Sequence, residues 1–209
     1  MDDFFSNETA HLRAEIAALA ARMIAEDGAD YSTAKRKAAK QILGDQKPRS
    51  DVLPGNAQIE DEVRIYNELF FGDTQPARLL HLRRLAVTLM ADLAQFSPYL
   101  TGAVLNGTAG QHSDIHLQLF ADNSKEVEIF LLNKRISYEV SETPHFKGNH
   151  TAVETLSFLV PQRNGDPDGV HLHLYDPDDL RGGSRQANGK RIERADINAV
   201  RNILDQETP

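Results

Sequence analysis

Asp114, His116, Glu126 and Glu128 are the residues of this chain whose types and spacing could gather a cation. Ile115, Leu117 and Leu119 alternate with Asp114, His116 and Gln118, the two-residue period of a strand with one apolar face. After Ala121-Asp122-Asn123-Ser124 a second alternation sets Val127, Ile129 and Leu131 against Glu126, Glu128 and Phe130, which predicts a hairpin. A slip of one residue would turn a whole apolar set into water, so the register is constrained. Burying both apolar sets then forces Asp114, His116, Glu126 and Glu128 onto the common opposite face. Such convergence is what a divalent cation requires, because oxygen and imidazole ligands must reach one point about 2.0 to 2.6 Å away. A solvated, charge-bearing sheet face is the alternative.

Further histidines could join the same face. His112 and His116 lie around the Ser113 to Leu117 stretch, and His171 and His173 alternate with Val170, Leu172 and Leu174 along another candidate strand. If those strands are neighbours, a His/Asp/Glu metal centre follows, and with it a metal-dependent hydrolase or a metal-binding module. His145 and His150 flank a loop and read as solvated. Two basic groups, Lys35, Arg36, Lys37, Lys40, Lys47 and Arg49, then Arg181, Arg185, Lys190, Arg191 and Arg194, could meet an RNA backbone or an acidic protein surface. No aromatic residues interleave them, which argues against single-strand recognition by stacking. Neither a Gly-x-Ser-x-Gly elbow nor a Walker phosphate loop is present.

The stretch Leu105-Asn106-Gly107-Thr108-Ala109-Gly110-Gln111-His112-Ser113-Asp114-Ile115-His116-Leu117 resembles the signature of the DNA polymerase beta-type nucleotidyltransferase superfamily, above all its minimal and antibiotic-modifying bacterial members. Gly107-Thr108 matches the family's Gly-Ser corner, Ser113-Asp114-Ile115-His116-Leu117 its Ser-Asp-Ile-Asp-Leu strand, and Glu128 in Val127-Glu128-Ile129 the third acid. The motif content spans roughly residues 77 to 135, with a helical leader at Tyr31 to Ala39 as a lesser likeness. The resemblance implies metal-dependent transfer of a nucleoside monophosphate from an NTP to a hydroxyl acceptor, which could be RNA, protein or a small molecule. Asp114 and Glu128 would be catalytic; Asp114, His116 and Glu128 would hold metal; Gly107, Thr108 and Ser113 would line the phosphates. In that chemistry Mg²⁺ or Mn²⁺ bridges the phosphates during in-line attack, and a glycine corner admits them to backbone NH groups. Two departures stand out. His116 replaces an aspartate and suits Mn²⁺, Zn²⁺ or Fe²⁺ better than Mg²⁺, and the Gly107-to-Asp114 spacing is shorter than usual. A catalytically inactive nucleotidyltransferase-like module that binds nucleotide or protein is therefore the rival to the enzyme.

The elements that must carry these residues are legible as periodicities. Leu12, Ile16, Leu19 and Met23 mark a helix from Asn7 ended by Asp27-Gly28, and Ala34, Ala38 and Ile42 a second ended at Gly44. Breakers from Gly44 to Asn56 suggest a linker. Helices follow on Ile59, Val63, Tyr66 and Phe70, and from Ala77 to Phe96; then strands over Tyr99 to Leu105, Ser113 to Leu119, Leu156 to Val160 and Val170 to Tyr175. A Gly-rich loop holding Gly182-Gly183 and Asn188-Gly189 leads to a last helix through Ile197, Val200 and Leu204, capped by Asp196.

The expected fold is α/β (α+β): a nucleotidyltransferase-like mixed sheet flanked by helices over residues 56–209, preceded by a helical N-terminal arm over 1–50. With 40% hydrophobic and 26% charged residues the 209-residue chain can bury a core. A formal charge of −8 opposes general adhesion to polyanions. The absence of cysteine excludes disulfides, thiolate zinc sites and cysteine nucleophiles. An acidic start, Met1-Asp2-Asp3, and no apolar run near the roughly 20 residues of a membrane span lead to a cytoplasmic, non-membrane expectation.

Overall fold

The computed structural model describes residues 2–44, 48–146, 152–163, 165–181 and 193–207. Lys47, His150, Arg185, Lys190, Arg191 and the Gly182-Gly183 and Asn188-Gly189 pairs lie outside the described residues, as does the side chain of Arg181. The chain divides into two compact units, residues 1–79 with 107–112, and residues 80–106 with 113–209.

The first unit is helical. Helix α1 (Asp2–Asp27), α2 (Tyr31–Leu43) and α3 (Asn56–Phe71) bury Ile16, Ala17, Ala20, Ala21, Ala34, Ala38, Ala39, Ile59 and Val63 in one cluster. Alanines dominate the α1 and α2 faces, so small side chains rather than the sparse leucines set how closely these helices approach. Asp30 caps α2, its carboxylate accepting from Thr33 N at 3.0 Å. Phe70, expected on the buried stripe of α3, is 64% exposed; Asn67 is buried in its place and donates to the carbonyl of Thr108 at 3.1 Å. Helix α4 (Gln75–Asp92) begins in this unit, where Gln75 Nε2 donates to the carbonyls of Gly107 and Ala109 at 3.2 and 2.8 Å. The 107–112 segment is thereby hydrogen-bonded into the helical unit.

The second unit holds the sheet. Its elements are the rest of α4, β1 (Tyr99–Thr101), α5 (Gly102–Asn106), β2 (Ile115–Phe120), α6 (Ser124–Asn133), β3 (Glu139–Pro144), β4 (Ala152–Val160), β5 (Asp168–Tyr175), α7 (Pro177–Arg181) and α8 (Ile197–Glu207). The strand order is β1-β2-β5-β4-β3; β2 and β5 run parallel and the other pairs antiparallel, so the architecture is mixed α/β. Leu82, Met90, Leu93, Val104, Ile115, Leu117, Leu119, Leu156, Val170, Leu172 and Val200 are all buried. Asp196 caps α8 as expected, accepting from Ala199 N at 2.9 Å.

Two strand expectations are corrected. Gly102 to Asn106 turns into α5, leaving only Tyr99 to Thr101 extended; Gly102 takes φ +73, a left-handed value that glycine adopts freely and that ends the strand. The hairpin partner of β2 does not form: Val127, Glu128 and Ile129 lie on α6, whose Asn123 cap accepts from Lys125 N at 3.0 Å. Val127 and Leu131 are four apart, a spacing that keeps one face in a helix and in a strand alike, and both are buried. Ile129, which only the strand would bury, is 56% exposed.

Candidate active site on the polar face of the sheet

The site lies on one face of the second unit. Because β2 and β5 pair in parallel, His116 is opposite His171 and Gln118 opposite His173; β4 pairs antiparallel with β5 and sets Ser157 against His171 and Thr155 against His173. Alternation then puts His116, His171, Ser157, His173 and Thr155 on the same face, opposite the buried Leu117, Leu172 and Leu156. The rings form a stack. His116 lies 4.8 Å from His171 and 5.4 Å from His173, centroid to centroid, at interplanar angles of 19° and 12°.

Two hydrogen-bonded chains run through the stack. In the first, His171 Nε2 is 3.1 Å from Asp114 Oδ2 and His171 Nδ1 is 2.8 Å from Ser157 Oγ. A carboxylate only accepts, so Nε2 carries a proton; with that one proton on the ring, Nδ1 accepts from the Ser157 hydroxyl. In the second chain His116 Nδ1 and His173 Nε2 are 3.1 Å apart, His173 Nδ1 is 3.1 Å from Thr155 Oγ1, and Thr155 Oγ1 is 2.9 Å from Thr143 Oγ1. Burial drives the His116 pKa from the ordinary 6.5 to about 4, and the neighbouring His171 pushes the same way against Asp114. Burial, then His116 and His171, take His173 to about 3. Both rings are neutral at pH 7, the form in which imidazole ligates metals or relays protons.

Asp114 owes its seat to Gly169. A Cβ on Gly169 would stand 2.3 Å from Asp114 Oδ1, so any other residue there would displace the carboxylate. Next in sequence, Asp168 is buried and accepts from Gln162 Nε2 at 2.5 Å, with His81 Nε2 2.7 Å away. That bond fastens α4 to the start of β5.

The residues expected to act together are distributed as follows. Asp114 and His116 stand at the start of β2, with His171 and His173 on the adjoining strand. Glu128, on α6, accepts from Lys125 Nζ at 2.5 Å and from Tyr138 Oη at 3.1 Å, and Lys125 holds its pKa below the usual carboxylate range. Among the described residues no three of His, Asp and Glu are gathered as a cation needs, so the hairpin convergence of Asp114, His116 and Glu128 is not reproduced. Gly107 and Thr108 belong to the helical unit, where the buried Thr108 hydroxyl lies 3.5 Å from Tyr31 Oη; Ser113 immediately precedes Asp114. His112 also lies in the helical unit, lining a cleft of about 360 Å³ with Ala25, Phe71, Gln75 and Arg78. His145, expected in solvent, is buried 3.1 Å from Asp179 with Tyr175 and Phe146 against its ring. Ser157, Thr155, Thr143 and Gly169 escape the sequence reading, because their part depends on which strands become neighbours.

No family model matches the chain, and no curated protein matches it. Two solved structures are similar to part of it: "Structure of Cid1 in complex with its short product ApU", 16% identical with a TM-score of 0.34 over 49% of this chain and 32% of that one, and "Structure of Cid1 in complex with the UTP analog UMPNPP", 14% identical with a TM-score of 0.36 over 55% and 36%. The chain therefore spans about a third of the length of those neighbours. No described helix is long and apolar enough to cross a membrane.

Proposed function

We propose that the protein binds a nucleoside triphosphate and transfers its monophosphate to a hydroxyl acceptor with the help of a divalent cation. The observation that carries the reading is the placement of Asp114 and His116 at the start of β2, against His171 and His173 on the parallel β5. The motif Ser113-Asp114-Ile115-His116-Leu117 supports it. One carboxylate with neutral imidazoles is a donor set for Mn²⁺, Zn²⁺ or Fe²⁺ more than for Mg²⁺. While Glu128 on α6 is engaged by Lys125 and Tyr138, Asp114 and His116 would hold the cation. When bound, it would supply positive charge against the phosphates in a chain whose formal charge is −8. Asp114, seated over Gly169, is bonded through Oδ2 to His171 Nε2. Ser113, next to Asp114 in the sheet unit, keeps a phosphate-lining role in this proposal.

The test is pyrophosphate release from mixed NTPs with Mn²⁺ or Mg²⁺ and RNA, protein or small hydroxyl acceptors. Turnover that Asp114→Asn lowers by about 100-fold or more supports transfer chemistry. Absence of turnover with every NTP and cation overturns it. A second reading, a silent nucleotide-binding module, is favoured by the bonding of His116 to His173, which occupies a ring nitrogen of each. Calorimetric NTP binding without turnover, unchanged in Asp114→Asn, would establish that reading instead.

A further inference from the structure

We propose that Ser157 is a nucleophile, that His171 takes its proton, and that Asp114 holds the imidazole, forming an acyl-transfer site for neutral carboxylic esters. The connectivity is that of an activated hydroxyl: nucleophile to base at 2.8 Å and base to carboxylate at 3.1 Å. Donor and acceptor directions agree with it. Asp114 requires the Nε2 proton, which leaves Nδ1 with the lone pair that faces the Ser157 hydroxyl.

The surroundings select the substrate class. Cross-strand pairing places Gly169 between the start of β2 and Leu159 of β4, and the Asp114 carboxylate sits over Gly169, which fixes it beside His171. Leu159, two residues from Ser157 on the same face of β4, is 64% exposed and offers an apolar support for an acyl chain. Asp114 and the exposed Glu139, register partner of Ser157 on β3, put negative charge on both sides of the hydroxyl. A phosphate there would need a cation; an uncharged ester needs none. The inference is thus independent of nucleotidyl transfer.

The step balances. Ser157 Oγ forms a bond to the ester carbonyl carbon as its proton passes to His171 Nδ1, and Asp114 stabilises the imidazolium. Collapse breaks the bond to the leaving alkoxide, which takes the proton from His171. Water then releases the acid by the same sequence in reverse.

The experiment uses the full chain in EDTA, without nucleotide, which separates this site from the proposed transferase. A fluorophosphonate probe should label the protein stoichiometrically at Ser157, read by peptide mass spectrometry, and p-nitrophenyl acetate should give a burst of p-nitrophenolate. Ser157→Ala abolishes both, His171→Gln slows the burst by about 100-fold, and Ser141→Ala, on the neighbouring strand, leaves both intact. Equal melting temperatures of the variants exclude loss of folding as the cause. Label on another residue, no label, or a burst that survives Ser157→Ala overturns the proposal.

Discussion

At the scale of single residues, the histidine stack makes the protein acid-sensitive. His116 and His173 have folded-state pKa values of about 4 and about 3, below the 6.5 of an unfolded histidine, so the unfolded chain binds more protons in between. Their contribution to stability is complete above pH 6.5 and is lost as pH falls toward 4 and then 3. Urea midpoints should therefore drop between pH 7 and pH 4.5, and His173→Asn should flatten that slope; an unchanged slope would show that the rings are solvated. Gly169 carries a second prediction. Gly169→Ala drives a methyl group into the Asp114 carboxylate, at a cost of about 1–3 kcal/mol in urea denaturation, and reduces whatever activity depends on Asp114.

At the scale of elements, α6 shows how a period can mislead. Val127 and Leu131 satisfy helix and strand equally, and only Ile129 separates the two. Leu131→Ala should cost about 2–5 kcal/mol, whereas Ile129→Ala, on the exposed side of the helix, should stay within about 0.5 kcal/mol; a strand would make both costly. The sequence is reliable where a period is long or its ends are chemically marked. The helix ends at Gly28 and Gly44 and the Asp196 cap are of that kind; β2 and β5 are legible as alternations, and β4 only in part, as the short run Leu156 to Val160. β3 was not, because Glu139 to Pro144 lies at the sheet edge and buries little. The same limit applies to the site. Asp114 and His116 announce themselves by spacing, and the histidines of β5 by alternation, but Ser157 gains its meaning only from a register partner 14 residues away on a strand pair that no local pattern specifies.

At the scale of the whole chain, long-range polar bonds hold together parts that are distant in sequence. Arg83, buried on α4, donates to the carbonyls of Val104 and Leu105 at 2.9 and 3.0 Å and pairs with Glu207 of α8. Arg83→Met would strand two carbonyls, and should cost about 1–3 kcal/mol and lower the melting temperature accordingly. In the helical unit the equivalent task falls to Asn67 and Gln75, whose amides reach the backbone of Thr108, Gly107 and Ala109. Gly28, at φ +66, has no room for a Cβ because His112 would be 2.7 Å from it. These bonds have a consequence for synthesis. A ribosome that has released only the first 79 residues has not yet delivered the partners of Asn67 and Gln75, so the N-terminal helices can complete their packing only after residue 112 has emerged, when β1 and α5 are already outside the exit tunnel.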